Sequence, residues 1–146
     1  MLKISRLTDY ATAVVLLLQQ DNKLQSTELI AQAVGLEIPT VSKVLKLLTK
    51  AQILSSVRGA NGGYKLARDV TNVSLYDVIV AIEGSTAITE CAKTDSLCLQ
   101  EHDCDTRTGW QAVNEQIKTI LVKMTIEQMA KLNGMTKPEI KLEIKP

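Results

Sequence analysis

The segment IPTVSKVLKLLTKAQILSSVRGANGGYKL, residues 38–66, decides the fold. Pro39 suits the first turn of a helix, and residues 39–51 carry apolar side chains at helical spacing. Those inward-facing positions are Val41, Val44, Leu45 and Leu48. Residues 53–57 then have strand character, and residues 64–67 alternate as a returning strand across a glycine-rich tip. The segment therefore predicts a helix that leads directly into a β-hairpin.

A shorter helix precedes this segment. Ser26 is a candidate N-cap with Glu28 in the first turn, which predicts a helix through Ala33. Its apolar face is expected to consist of Leu29, Ile30 and Val34. Gly35 ends the helix, because glycine takes positive φ readily. Two short helices joined by a tight turn are typical of a helix-turn-helix, and a hairpin directly after it is a wing. An ordinary helical hairpin would not explain the wing.

The polar side chains of this region predict contacts with DNA. On the second helix they are Thr40, Ser42, Lys43, Lys46 and Lys50. Such a helix fits the major groove, where early side chains reach base edges and later lysines meet phosphate. In the wing, Arg58 can enter a narrow minor groove, and Asn61 in the tip joins the candidate set. No spacing of a phosphate-binding loop is present, so the glycines do not indicate nucleotide binding.

Four further helices flank the winged segment. The first covers residues 5–20, with Asp9 in its first turn and Leu7, Ala11, Val14 and Leu18 on one face. Ser74 and Asp77 form a capping-box pattern that opens a helix ending near Gly84. A long helix then carries an apolar stripe at three- and four-residue steps, composed of Trp110, Val113, Ile117, Ile120, Leu121 and Met124. In a DNA-binding protein such a stripe predicts a dimer interface. Thr125 with Gln128 caps a last short helix.

These elements predict a mainly α protein with a small β-hairpin wing. The expected organisation is a winged helix-turn-helix domain at 1–84, a cysteine-rich loop at 85–106, a dimerisation helix with a short capping helix at 107–132, and a loosely held tail at 133–146. Phe is absent, so the core must be aliphatic. No run of about eighteen apolar residues occurs, which argues against a membrane span. The sequence shows no secretory start, so the cytoplasm, a reducing compartment, is expected.

The formal net charge of +1 conceals an asymmetry along the chain. Residues 1–73 carry nine Lys or Arg against five Asp or Glu, whereas residues 74–146 carry eight against eleven. Within residues 37–68 there are six basic side chains and one acidic side chain. A polyanion partner such as double-stranded DNA is therefore expected for the first half only.

All three cysteines and the single histidine lie in the segment ECAKTDSLCLQEHDCD, residues 90–105. The thiolates of Cys91, Cys98 and Cys104 suit a soft, thiophilic metal. Three cysteines, however, leave a four-ligand zinc or iron–sulfur site one ligand short. Four interpretations stay open: a metal or cluster site, a Cys3His zinc site that uses His102, unliganded thiols, and a thiol redox enzyme. The odd cysteine count disfavours a disulfide framework, and the absence of Cys-x-x-Cys disfavours the enzyme.

The sequence resembles the Rrf-two family of bacterial winged-helix regulators over residues 2–132. The resemblance is carried by LTDYA at 7–11, PTVSK at 39–43, SVRG at 56–59, NGGY at 61–64, and the three-cysteine loop followed by Trp110. Within the family it is most similar to regulators of the SUF iron–sulfur assembly system. It is also similar to other iron–sulfur assembly regulators and to nitric-oxide sensors.

The resemblance implies a homodimeric, non-enzymatic DNA-binding regulator with an iron–sulfur cluster on each cysteine loop, [2Fe–2S] being favoured and [4Fe–4S] possible. In the assembly regulators a histidine three residues after the last cysteine completes the cluster, and here that position is Arg107. In the nitric-oxide sensors a carboxylate of the partner subunit's first helix does so, and Asp9 matches that position. The implied ligands are therefore Cys91, Cys98, Cys104 and Asp9, with His102 as the alternative fourth ligand. No membrane partner and no small-molecule substrate are expected.

Overall fold

The computed structural model describes residues 3–93, residue 98 and residues 104–134. Within these ranges the chain forms α1 (Arg6–Leu18), α2 (Thr27–Val34), α3 (Ile38–Lys50), β1 (Leu54–Val57), β2 (Gly63–Leu66), α4 (Leu75–Glu83), α5 (Arg107–Lys123) and α6 (Ile126–Leu132). Short 3-10 turns occupy Val70–Asn72 and Glu90–Ala92. The predicted class, mainly α with a β-hairpin wing, is confirmed.

An aliphatic core lies between α1, α2, α3 and α4. Its largest fully buried side chains include Leu18, Ile30, Leu45, Leu48 and Ile53. The predicted apolar face of α2 is wrong at one position, because Leu29 is exposed while Ile30, Ala31 and Val34 are buried. At about 100° per residue, Ile30, Ala31 and Val34 fall within one arc of roughly 100°, whereas Leu29 lies roughly 100° outside that arc and points away from the core.

The helix-turn-helix forms at the predicted caps. The Ser26 hydroxyl accepts a hydrogen bond from the Leu29 N–H at 3.3 Å, and Gly35 ends α2 with φ of 69°. Pro39 lies in the first turn of α3, where its missing N–H costs no helical hydrogen bond. These local features set the angle at which α3 leaves α2.

The wing is an antiparallel hairpin in which Leu54 pairs with Leu66 and Val57 pairs with Gly63. Gln25, just before α2, pairs with Tyr64 of β2 as an isolated antiparallel bridge beside the hairpin. Its N–H donates to the Tyr64 carbonyl at 3.0 Å, and its carbonyl accepts from the Tyr64 N–H at 2.8 Å. The wing is therefore held to the helix-turn-helix through backbone hydrogen bonds.

The junction of α5 and α6 is attached to the start of α4. The Leu75 N–H donates to the Met124 carbonyl at 2.8 Å, and the Ile126 N–H donates to the Val73 carbonyl at 2.9 Å. The predicted capping boxes at Ser74 and Thr125 are both present. Ile126 and Ala130 of α6 are buried in the same core as α1. Thus α6 returns to the winged domain.

Helix α5 is mostly exposed. Among its residues only Asn114 is buried. Trp110, Val113 and Ile120 of the predicted stripe are 44–65% exposed. The Lys118 ammonium lies 5.7 Å from the centre of the Tyr76 ring, a cation–π contact that helps to attach α5 to α4. In the described part of the chain, no helix has the length and hydropathy needed to cross a membrane.

Candidate functional site

The first candidate surface is the outer face of α3. At about 100° per residue, Ser42, Lys43, Lys46 and Lys50 fall within one arc of roughly 100°, opposite the buried residues. The three lysines are exposed, whereas Ser42 and Thr40 are half-buried. Thr40, near the start of the helix, lies roughly 60° outside this arc. The structure therefore presents Ser42 and the three lysines as one polar, positively charged face.

The wing carries the remaining candidate DNA ligands. Arg58 is the first residue after β1, Asn61 lies in the tip, and both side chains are exposed. The tip is tight, since the Gly62 N–H donates to the Gly59 carbonyl at 3.0 Å. A Cβ atom on Gly62 would lie 2.1 Å from the Val57 carbonyl oxygen, so only glycine fits there. The loop geometry thus sets where Arg58 and Asn61 project.

The second candidate site is the cysteine segment between α4 and α5. Cys91 lies in the 3-10 turn Glu90–Ala92, and its Sγ is 3.2 Å from the Thr89 hydroxyl. The Cys91 carbonyl accepts a hydrogen bond from Gln111 Nε2 at 3.4 Å. One turn further along α5, Asn114 Oδ1 accepts from the Ile88 N–H at 3.3 Å. Two amides of α5 therefore hold the segment that leads to Cys91.

Cys104 lies at the other end of the segment, just before α5. Its Sγ is 3.4 Å from the Thr106 hydroxyl, and its carbonyl accepts from the Arg107 N–H at 3.3 Å. The Thr106 hydroxyl, followed by the backbone N–H groups of Thr106 and Arg107, lowers the pKa of the Cys104 thiol below its ordinary value. A thiol with a lowered pKa supplies the thiolate form that binds metals and reacts with oxidants.

The thiols suit a soft metal in their chemistry. Cys91, Cys98 and Cys104 are all half-buried, and none forms a disulfide. In the described ranges, however, no three His, Cys, Asp or Glu side chains converge on a point where a metal ion would fit. His102, the alternative fourth ligand, lies outside the described residues. A completed four-ligand site would need the three thiols and a fourth ligand to converge on the metal.

Asp9 is exposed in the first turn of α1. It borders a surface cleft of about 360 Å3 to which α4, α5 and α6 contribute Ile79, Leu121 and Met129. The neighbouring Thr8 is completely buried, and its hydroxyl donates a short hydrogen bond to the Glu83 carboxylate at the end of α4. The position of Asp9 is thus set by a contact between α1 and α4.

Three residues of this site were not predicted from the sequence: Glu83, Gln111 and Asn114. Each contacts a segment that is 20 or more residues away in the chain. One signal was available in the sequence, because the helical period places the polar residue Asn114 directly beside the apolar stripe of α5. A polar residue at an inward position often binds backbone groups.

The fold and the basic face of α3 define a winged-helix DNA-binding protein. Comparison with known proteins specifies the class further. A model of the Rrf2 family, described as an iron-dependent transcriptional regulator, matches residues 4–132. The chain therefore belongs to the Rrf2 (Rrf-two) family, as the resemblance indicated, and it is a winged-helix transcriptional regulator.

Individual relatives support this assignment. The protein named rrf2 of Nitratidesulfovibrio vulgaris is 29% identical over 133 residues, which cover 90% of this chain and 87% of that protein. The structure of IscR from T. potens shares 29% identity with a TM-score of 0.69, covering 94% and 93% of the two chains. The structure of CymR, described as the global cysteine regulator of B. subtilis, shares 27% identity with a TM-score of 0.71, covering 90% and 98%. The matched family is one of transcriptional regulators, which agrees with the expectation that this chain is not an enzyme.

Proposed function

We propose that this protein is a homodimeric transcription factor whose binding to operator DNA is tuned by an iron–sulfur cluster, and that it controls genes of iron–sulfur assembly. The observation that carries the proposal is the set of three half-buried thiols, without a disulfide, on one segment between the winged domain and α5. Similarity to T. potens IscR supports the link to iron–sulfur assembly. A regulator of this kind acts where the DNA is, which in a bacterium is the cytoplasm.

Cys91, Cys98 and Cys104 would hold the cluster, and the partner subunit's Asp9 would complete it. The bound cluster would supply a redox-sensitive centre, either [2Fe–2S], which we favour, or [4Fe–4S]. A carboxylate is a harder ligand than a thiolate, which suits a site that exchanges its cluster. Because α1 packs on both α3 and α4, a restraint on Asp9 would be transmitted to the recognition helix.

For DNA, α3 would enter the major groove while Arg58 and Asn61 approach the adjacent minor groove. Lys46 and Lys50 would neutralise phosphates, and Thr40, Ser42 and Lys43 would face the bases. Dimerisation through the exposed stripe of α5 would place two recognition helices on successive half-sites. A change in their spacing would then alter affinity for the operator, which is the coupling that a sensor requires.

The decisive experiment is anaerobic purification with visible absorption spectra and analysis of iron and sulfide. We expect a coloured protein with an iron-to-sulfide ratio near one. Replacement of Cys91, Cys98 or Cys104 by Ala should abolish stable cluster binding while leaving the dimer mass unchanged, since none of these thiols lies on the α5 stripe. Three variants that all keep the visible spectrum would refute the ligand assignment.

The fourth ligand is tested by Asp9→Ala and His102→Ala. We expect Asp9→Ala to weaken or change the cluster spectrum more, because Asp9 is exposed on the first turn of α1 and available to a partner subunit. The lifetime of the cluster after exposure to air gives the comparison. The opposite ranking would assign the role to His102.

A second candidate function is a cluster-free or zinc-stabilised regulator that responds to thiol chemistry. The similarity to CymR and the lowered pKa of Cys104 favour it. Such a protein would be colourless and free of sulfide after anaerobic purification. Its affinity for DNA would then change on mild oxidation and recover with a thiol reductant.

A further inference from the structure

The segment of residues 85–92 connects α4 to the first cysteine, and two side chains of α5 bind its backbone. We infer that Gln111 and Asn114 are positioning residues that fix Cys91 on α5 before any cluster is present. The positioning of Cys91 does not depend on the proposed function. Its consequence does rest on that function: the fixed thiol would be the first ligand around which the cluster site is assembled.

Asn114 is the stronger of the two attachments. It is 8% exposed and is the one buried residue of α5, whose other side chains are half-buried or exposed. Burial of an amide is unfavourable unless the amide is hydrogen-bonded. Its Oδ1 accepts from the Ile88 N–H, a donor that no helix or strand uses. The contact therefore satisfies two groups and holds the segment against α5.

Gln111 continues this attachment one turn nearer the start of α5. Residues three apart in a helix lie on the same side, so Gln111 and Asn114 face one continuous stretch of the segment. Gln111 Nε2 donates to the carbonyl of Cys91 itself. This hydrogen bond restrains the backbone of Cys91 without involving its Sγ atom, so it does not prevent the sulfur from binding a metal.

Cys104 is attached to the same end of α5, because it leads directly into the first turn through the Arg107 N–H. Both outer cysteines of the loop are thus attached to the first two turns of one helix. Holding the ends of a loop together removes much of the entropy that must be lost when its residues converge on a ligand. Gln111 and Asn114 would therefore favour cluster assembly without touching the cluster.

The two amides use opposite hydrogen-bonding groups, and this permits a sharp test. Asn114 accepts a hydrogen bond, so Asn114→Asp keeps the acceptor, whereas Asn114→Leu removes it at similar size. Gln111 donates, so Gln111→Glu replaces the donor by a charged acceptor facing a carbonyl. The same amide-to-acid change is thus conservative at one position and disruptive at the other. Gln116→Glu, on an exposed part of α5, is the matched control.

The first measurements use the cluster-free full-length protein. We expect Asn114→Leu to speed hydrogen exchange of the Ile88 amide, and Gln111→Glu to speed alkylation of Cys91 relative to Cys98 and Cys104 in the same molecule. Asn114→Asp and Gln116→Glu should behave like the wild type. Unchanged exchange in Asn114→Leu together with unchanged alkylation in Gln111→Glu would overturn the inference.

The second measurement uses the reconstituted protein. Gln111→Glu should lose its cluster to a chelator roughly tenfold faster than wild type, the scale usual for outer residues of metal sites. Gln116→Glu should lose it at the wild-type rate, and both variants should stay dimeric. If Gln111→Glu and Gln116→Glu lost their clusters at equal rates, the Gln111 contact would have no effect on the cluster site. A wild type that binds no cluster would refute the proposed function instead, and the cluster-free measurements would still decide the positioning role.

Discussion

On α3, the side chains are expected to divide into those that contact phosphates and those that contact bases. Lys46 and Lys50 are exposed along the middle and end of the helix, where the backbone of DNA would pass. Loss of either lysine should weaken binding to all DNA sequences alike and lower the slope of log affinity against log salt concentration by about one unit. Titration of Lys46→Ala and Lys50→Ala against operator and scrambled DNA at several salt concentrations measures this.

Thr40, Ser42 and Lys43 lie earlier on α3, in the position from which side chains reach base edges. Substitution of one of them by Ala should cost roughly 1–3 kcal/mol and relax the preference at particular base pairs. The lysine variants serve as controls in the same titrations. Equal losses on operator and scrambled DNA for Thr40, Ser42 and Lys43 variants would mean that another surface reads the sequence.

Among the elements, the wing depends on its close contact with the chain before α2. Gly63 has φ of 154°, and a Cβ there would lie 2.5 Å from the Gln25 carbonyl oxygen. Gly63→Ala should therefore destabilise the fold by roughly 1–3 kcal/mol and weaken DNA binding through a displaced wing. Denaturant unfolding and DNA titration measure the two effects.

Gly59→Ala is the control for the wing. Gly59 also has positive φ, at 116°, but a Cβ there meets nothing within 4 Å. The difference between the two variants isolates the contact with Gln25. If Gly59→Ala is as destabilising as Gly63→Ala, backbone strain alone explains both, and the attachment of the wing to Gln25 has no special importance.

The joint between α1 and α4 is expected to depend on pH. Hydrogen bonds from the Ser5 hydroxyl, and then from the Thr8 hydroxyl, lower the pKa of Glu83 below its ordinary value. A carboxylate with a lowered pKa stabilises the fold above the unfolded pKa, and this contribution is lost as the pH falls through the folded pKa. The difference in unfolding free energy between wild type and Glu83→Gln should therefore be largest near neutral pH and shrink in acid.

Urea unfolding between pH 7 and pH 3 gives this difference. Thr8→Val removes the buried hydroxyl and provides the second arm of a double-mutant cycle with Glu83→Gln. A difference that is constant across this pH range would show that the Glu83 charge does not stabilise the joint.

At the scale of the whole molecule, the exposed stripe on α5 is the expected dimer interface. Ile120 is 65% exposed on a helix in which Asn114 is the one buried residue. Burial of such a side chain contributes roughly 1.5–3 kcal/mol, so Ile120→Glu should convert the dimer to a monomer that keeps its helical content. Sedimentation or light scattering measures the mass, and circular dichroism measures the helical content.

Leu132→Glu is the matched control for the interface. Leu132 is 75% exposed near the end of α6 and lies outside the stripe, so this variant should stay dimeric. Dissociation of both variants would point to a wider interface that includes α6. A dimer that survives Ile120→Glu would place the interface elsewhere.

The sequence by itself determined the local elements of this protein. The caps at Ser26, Ser74 and Thr125 and the glycine terminator at Gly35 form as predicted. Such features depend on interactions within about four residues, and the helical period placed the lysines of α3 on one face for the same reason. The exposure of Leu29 was missed, because its apolar character does not reveal which neighbours cover it.

Only the tertiary structure decided how these elements are joined. It brought α6 back into the core of the winged domain, set Glu83 against Thr8, and attached the segment before Cys91 to Gln111 and Asn114. It also left Trp110, Val113 and Ile120 of the apolar stripe on α5 exposed. These contacts join residues that are 20 or more positions apart, and their partners are selected by the packing of the whole chain, which no local pattern encodes.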